Sequence, residues 1–430
     1  MFALRPLPVL ISLLFILVLS DWPLLTLVVA VPTGLRHVCL VVFFSFLLAM
    51  SRDRLSSAAS LSLFGLMFTY SVLATMSAQN GIIAYVLGFL FTFAFYFVYL
   101  CGYCTSVSRK TLNQFLRYFV LFILIASIPS FLIGLIQGTN LRTFPGIFRE
   151  LGAWGLCMNL ALIGSLMFYA IEKRRRYLLF ACLFLACIGM TILKKSIFES
   201  IFIVTAAILF LSNLSYRKKM FSIAGFFLVT IVFGIIFSAQ LLENITENTE
   251  YLAYVGNEGH VRIGMYLASF NIANDFFPFG SGFGSFGSLA SISGGYSELY
   301  YTYGVDGIGS NSEMAVAEGS HTLLDTFWPH IIAELGYIGS FLYISLYLYP
   351  CYKALKLCHD YRPNRPYAFF ICCSLLTICM DGVALYTPEI PLFIFLGPGL
   401  AGLILRVMRN TRLNSYNGND QLATNMNIMH

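Results

Sequence analysis

Pro278-Phe279-Gly280-Ser281-Gly282-Phe283-Gly284-Ser285-Phe286-Gly287 interleaves glycine with aromatic and hydroxyl side chains. It lies at the centre of a polar segment of about eighty residues, Leu241 to His321, in a chain that is otherwise almost continuously apolar. The segment carries nine acidic residues and a single basic one, Arg262, and closes on Ser320-His321. A connection of this length is either functional or without fixed structure, and disordered segments carry few aromatics. The stretch therefore reads as an ordered loop that shapes a site beside a membrane.

Outward from that loop the chain is hydrocarbon-like. With 58% apolar and 11% charged residues and a mean hydropathy of +0.80, it departs from the soluble average of about 25% charged in the direction of a polytopic membrane protein. Since a span needs about 20 apolar residues, the apolar runs predict twelve helices. They fall at 6–20, 24–50, 57–77, 82–101, 116–137, 151–171, 177–193, 197–214, 220–240, 326–348, 368–386 and 391–405. The second is interrupted by Pro32, Gly34 and Arg36, which kink it or divide it into two short pieces. The first has a positive start without a small-residue cleavage site, which predicts a retained span. The expected fold class is thus an all-α polytopic membrane protein of about twelve transmembrane helices. Residues 1–430 form one transmembrane domain, with the large loop 241–321 between the ninth and tenth spans and a disordered cytoplasmic tail over 410–430.

The net charge of +6 does not indicate nucleic acid, because the basic residues sit in short turns between spans. Arg5, Arg52/Arg54, Arg109/Lys110/Arg117, Lys173 to Arg176, Arg217 to Lys219, Lys353/Lys356/Arg362/Arg365 and Arg406/Arg409/Arg412 fall on alternate turns. By the excess of Lys and Arg on cytoplasmic loops, both termini face the cytoplasm. Most of the eleven cysteines lie inside apolar runs and the long loop has none, so no disulfide framework or zinc spacing is visible. No matched pair of broken helices marks a transporter repeat.

Six basic residues remain after that sorting: Arg36, Arg142, Arg149, Lys194, Lys195 and Arg262. All but Arg36 belong to outer loops or the outer ends of helices. Lys194-Lys195 interrupts the run from Tyr177 to Leu214, with Ser196 next and Glu199 one turn deeper. A charge at membrane depth faces a cavity or a partner, so the pair reads as a turn that pairs with Glu199 or snorkels to head groups, or as a clamp for a phosphate-bearing lipid. Arg149 has a local partner in Glu150, whereas Arg142 has none. Arg262 opens an amphipathic stretch, Gly259 to Phe270, expected to lie as a helix across the outer face of the bundle; its plainer role is a salt bridge with one of the nine loop acids. His321 is expected to open the next helical run, 322–348, which also holds Asp325, His330 and Glu334. An imidazole at a helix start facing an anionic site suits proton acceptance.

These residues resemble the O-antigen polymerases and the related O-antigen ligases of bacterial inner membranes. One motif of the resemblance is Arg262 followed by Pro278, Gly280, Gly282 and Gly284. The other is His321 at the head of a segment ending in Glu334-Leu335-Gly336-Tyr337-Ile338-Gly339. The chain departs from the family where Lys194-Lys195-Ser196 stands in place of a Ser-Arg or Thr-Arg pair, and where Thr322 stands in place of an Asn. The twelve-span layout with its large loop is also similar to that family and to the GT-C-type glycosyltransferase bundle.

The resemblance implies a metal-independent, inverting glycosyltransferase without a cofactor. It would act at the periplasmic face of the inner membrane on undecaprenyl-pyrophosphate-linked oligosaccharide, with membrane lipid and a chain-length regulator as candidate partners. His321 and Arg262 become the expected catalytic pair. Lys195, Lys194, Arg142 and Arg149 become the expected pyrophosphate-binding cations, since fixed positive charge stabilises a departing pyrophosphate. Tyr251, Tyr254, Tyr266, Phe283, Phe286, Tyr296, Tyr300, Tyr301 and Tyr303 offer aromatic faces for sugar rings, or anchors at head-group level. The competing functions are the ligase, which transfers finished polymer to lipid A-core, and a transporter or flippase of the same lipid-linked sugar.

Overall fold

The computed structural model describes residues 81–137, 151–190, 194–212, 261–293, 296–308, 311–318, 322–383 except 325, and 386–412 except 387 and 389, with isolated positions between 62 and 70 and between 215 and 225. Among them there is no strand. The chain forms α1 (Ile82–Cys104), α2 (Arg109–Gln137), α3 (Leu151–Glu172), α4 (Arg175–Met190) and α5 (Lys194–Leu211). Then come α6 (Val261–Asp275), the short α7 (Leu289–Ser293), α8 (Glu298–Thr302) and α9 (Glu313–Ala317), and the long α10 (Trp328–Asp360). α11 (Arg365–Asp381) and α12 (Leu392–Arg412) follow, the last among the described residues.

Among the described residues, five helices are long and apolar enough to cross a membrane: α1, the Arg109–Ile128 part of α2, the Gly152–Glu172 part of α3, α10 and α12. This is an all-α membrane protein. Three further expected spans fall on α4, α5 and α11, which have 16, 18 and 17 residues and are packed among the long helices. The runs at 6–20, 24–50, 57–77 and 220–240 lie outside the continuously described residues.

One end of the described bundle gathers basic residues. There Arg117 pairs with Glu172, and Arg412 with Asp360 at 2.7 Å. Arg109 donates to the Tyr367 hydroxyl at 2.9 Å, Arg409 to that of Tyr103 at 3.0 Å, and Arg365 lies over the Phe210 ring. The basic turns that lie among the described residues thus share one end, formed by the starts of α2, α4 and α11 and the ends of α3, α5, α10 and α12.

α10 organises the opposite end. It is broken at Gly336, where φ is +61° and ψ −174°. A residue with a β-carbon would be strained there by about 1–2 kcal/mol, which glycine avoids. The break releases backbone carbonyls that must find other donors, because an unpaired polar group in an apolar interior is costly. The glycine-rich stretch supplies them: Ser281 N–H donates to Ala333 O at 2.9 Å and Gly282 N–H to Glu334 O at 3.0 Å. The Tyr70 hydroxyl bridges Leu335 O, at 3.0 Å, and Pro278 O, while Ser340 Oγ donates to Gly336 O at 2.6 Å.

The same stretch wedges against α1. A β-carbon on Gly88 would stand 2.6 Å from Gly284 N, so these backbones touch only because both residues are glycine. Phe283 fills the space beside them, edge-on to Tyr85, Phe89 and Phe93 at 5.6–5.9 Å between ring centres. The glycine-rich stretch is ordered, as expected, but residues 280–288 are all buried. The glycines close a joint between helices and do not line an open cleft.

Beside this joint the polar segment builds a second, smaller core. α6 buries Met265, Ala268, Ser269, Ile272 and Ala273, a 3–4 residue spacing that gives one apolar face. Against it pack Phe286, Leu299, Tyr300, Val305, Leu323 and Ala333. The helix expected over Arg262 is therefore real, and it rests on α10.

Candidate functional site

The end of the bundle opposite the basic one brings together five elements far apart in sequence. Phe327 N–H donates to Gly382 O at 3.0 Å and Trp328 Nε1 to Cys379 O at 3.0 Å, which ties the start of α10 to the end of α11. Tyr266 of α6 donates to Val383 O at 3.2 Å. Tyr386 accepts from Leu289 N–H at 3.2 Å and lies 5.3 Å from the His330 ring. Lys195, at the start of α5, places its ammonium 2.6 Å from Asp381 Oδ1.

Arg262 lies in the first turn of α6, partly exposed, one turn before Tyr266. Among the described residues no ion pair is formed with it, so the salt bridge expected from the loop acids does not occur there. Its neighbour Tyr266 reaches Val383, two residues beyond the Asp381 that holds Lys195. The structure thus brings α6, the helix that carries Arg262, and Lys195 of α5 to the same end of α11, through Tyr266 and Asp381.

Lys195 pairs with Asp381 and not with Glu199, which corrects the ion pair read from the sequence. Glu199 is engaged elsewhere: its Oε2 accepts from Asn159 Nδ2 at 2.7 Å, and the same amide donates to Ser196 O at 3.1 Å. Local spacing favoured Glu199, but α11 packs against α5 and brings a carboxylate from outside the helix. Asp381 is not among the residues expected for the site, although a lone acid at the end of an apolar run is a signal. α5 starts at Lys194, whose side chain, like Arg142, Arg149 and His321, lies outside the described residues.

The segment after His321 differs from expectation. Thr322 is not helical: Asn311 Oδ1 accepts both its N–H, at 3.2 Å, and its hydroxyl, at 2.8 Å. α10 begins only at Trp328, because Phe327 N–H is committed to Gly382 O. His330 is fully buried, its ring 4.7 Å from Phe327. Glu334 is also fully buried and serves the glycine-rich stretch, with Oε1 accepting from Phe286 N–H at 3.1 Å and from Ser288 Oγ at 2.7 Å.

Among the aromatic residues, Phe283, Phe286 and Tyr300 are at most 1% exposed and cannot present a ring to a sugar, contrary to expectation. Their apolar surface was needed for the core, and the Tyr300 hydroxyl accepts from Gly287 N–H at 2.8 Å. Burial pushes the Tyr300 hydroxyl above its usual titration range. Tyr301 is half exposed and donates to Glu313 at 2.8 Å; Tyr303 donates to Asp275 at 2.6 Å. Burial and that carboxylate push Tyr303 up to about 12. Tyr251 and Tyr254 lie outside the described residues. Compared with known protein families and with curated proteins, the chain matches none.

Proposed function

We propose that this protein joins undecaprenyl-pyrophosphate-linked oligosaccharide units at the periplasmic face of a bacterial inner membrane, as an O-antigen polymerase. The acceptor hydroxyl attacks the anomeric carbon of the donor sugar and gives its proton to His321. The bond from that carbon to the pyrophosphate oxygen breaks, and undecaprenyl pyrophosphate leaves as an anion. Arg262 is assigned to that developing charge first. Lys195 joins it only by leaving Asp381, so it is the second cation; Lys194, Arg142 and Arg149 complete the assigned set.

The observation that supports this reading is that α6, which carries Arg262, contacts through Tyr266 the end of α11 where Asp381 holds Lys195. That end lies opposite the one where the basic turns gather. Outward-facing cations beside a membrane suit an anionic leaving group on a lipid.

Deleting the gene tests the reading. Loss of the polymerase leaves single repeat units on lipopolysaccharide. A bare core with accumulated lipid-linked polymer would assign the ligase reaction instead, and repeat units trapped on the cytoplasmic side would assign a flippase.

A further inference from the structure

The cluster at the outer starts of α5 and α3 carries a charge imbalance. Lys195 brings one positive charge to two carboxyl groups, Asp381 and Glu199, whose residues are 0% and 1% exposed. Lys195 Nζ lies 2.6 Å from Asp381 Oδ1, and the Glu199 carboxyl, one helical turn along α5 from Lys195, feels the charge of both. The charged groups acting on Glu199 are these two alone among the described residues, with Asn159 of α3 as the neutral donor. An unbalanced negative charge in an apolar interior is not sustained and must be neutralised.

A second observation points the same way. Asn159 is fully buried with its amide turned into the cluster through Nδ2, yet its Oδ1 has no hydrogen-bond partner. Glu199 Oε1 and Ser196 Oγ, equally buried, have none either. Buried polar atoms are nearly always satisfied, and orphaned ones mark a missing ion or water. Both Asp381 oxygens are on their own as well apart from the ion pair with Lys195 Nζ, so the atoms left to accept are all oxygens, which suits a hard cation or a proton and not a soft metal.

We infer that the Asn159–Glu199–Asp381 cluster binds one further unit of positive charge beside Lys195, as a proton shared by the two carboxyl groups or as a sodium-sized cation. The inference does not depend on the proposed glycosyl transfer, since it follows from charge and burial within the bundle.

The full-length protein, purified in nanodiscs at neutral pH, supplies the test. Its thermal midpoint is followed while sodium replaces choline at constant ionic strength, and the infrared stretch of a protonated carboxyl group is recorded in parallel. Either E199Q or D381N restores neutrality without a ligand and removes whichever signal the wild type gives. A saturable rise in midpoint with sodium, abolished in both variants, identifies the metal cation. A protonated-carboxyl band lost from both variants, with no dependence on sodium, identifies the proton. A wild-type protein with neither signal overturns the inference, because another side chain then supplies the charge. Should one variant fail to fold, the other decides, as each removes a different carboxylate.

Discussion

Gly280→Ala tests the joint between the glycine-rich stretch and the break in α10. Gly280 has φ +75°, and a β-carbon there would lie 2.7 Å from Ala333 O and from the Glu334 carbonyl carbon. These are backbone atoms and cannot swing aside as a side-chain end would. The left-handed conformation costs about 1–2 kcal/mol for alanine. Moving the stretch away from α10 also weakens the bonds from Ser281 and Gly282, each contributing about 1 kcal/mol net. The expected loss is therefore about 3–4 kcal/mol. Gly304→Ala separates the two causes, because Gly304 has φ +67° with nothing within 4 Å of an added β-carbon. It should lose only the conformational part, about 1–2 kcal/mol. Thermal unfolding in detergent, read by thiol-dye labelling of buried Cys101, Cys157 and Cys373, measures both. Equal shifts for the two variants would refute close approach as the reason for glycine at 280.

Other outcomes follow from the same geometry. Glu334→Ala removes the acceptor of the Phe286 and Ser288 bonds and should cost about 2–4 kcal/mol, whereas Glu334→Gln keeps an oxygen there and should cost less, by the same unfolding assay. Tyr303 is raised to about 12 in the folded protein, so its contribution is present below about pH 10 and is lost as pH rises through 12. Tyr303→Phe should flatten that part of the alkaline stability profile, and an unchanged profile would remove the Asp275 bond from the account. His321→Ala should insert normally and make no polymer on a lipopolysaccharide gel; a full ladder from that variant would exclude His321 as the base.

The helical segments were legible because apolar runs define them directly. The run at 82–101 became Ile82–Cys104, and that at 151–171 became Leu151–Glu172. α10 ran further than its apolar stretch, to Asp360, since the polar turn after Leu348 continues as helix at the basic end. The helix over Arg262 was readable from its spacing. What the chain could not announce was which backbone each glycine would meet. Gly280 and Gly284 read as part of an ordered loop shaping a site, and they, like Gly336, are close contacts between segments distant in sequence. The partner of Lys195 was hidden for the same reason: Glu199 was one turn away, while Asp381 arrives only when α11 packs on α5. Phe283 and Phe286 were misread because an aromatic among glycines looks exposed until the backbone turns it inward.

The central claim is glycosyl transfer between lipid-linked units, with Arg262 holding the leaving pyrophosphate. Its most direct measurement uses purified protein in liposomes supplied with undecaprenyl-pyrophosphate-linked oligosaccharide in the presence of a metal chelator, with products separated by size. The account predicts a ladder of extended chains from the wild-type protein and only the starting unit from Arg262→Ala. A ladder of equal length from Arg262→Ala, or none from the wild type with intact substrate, would contradict it.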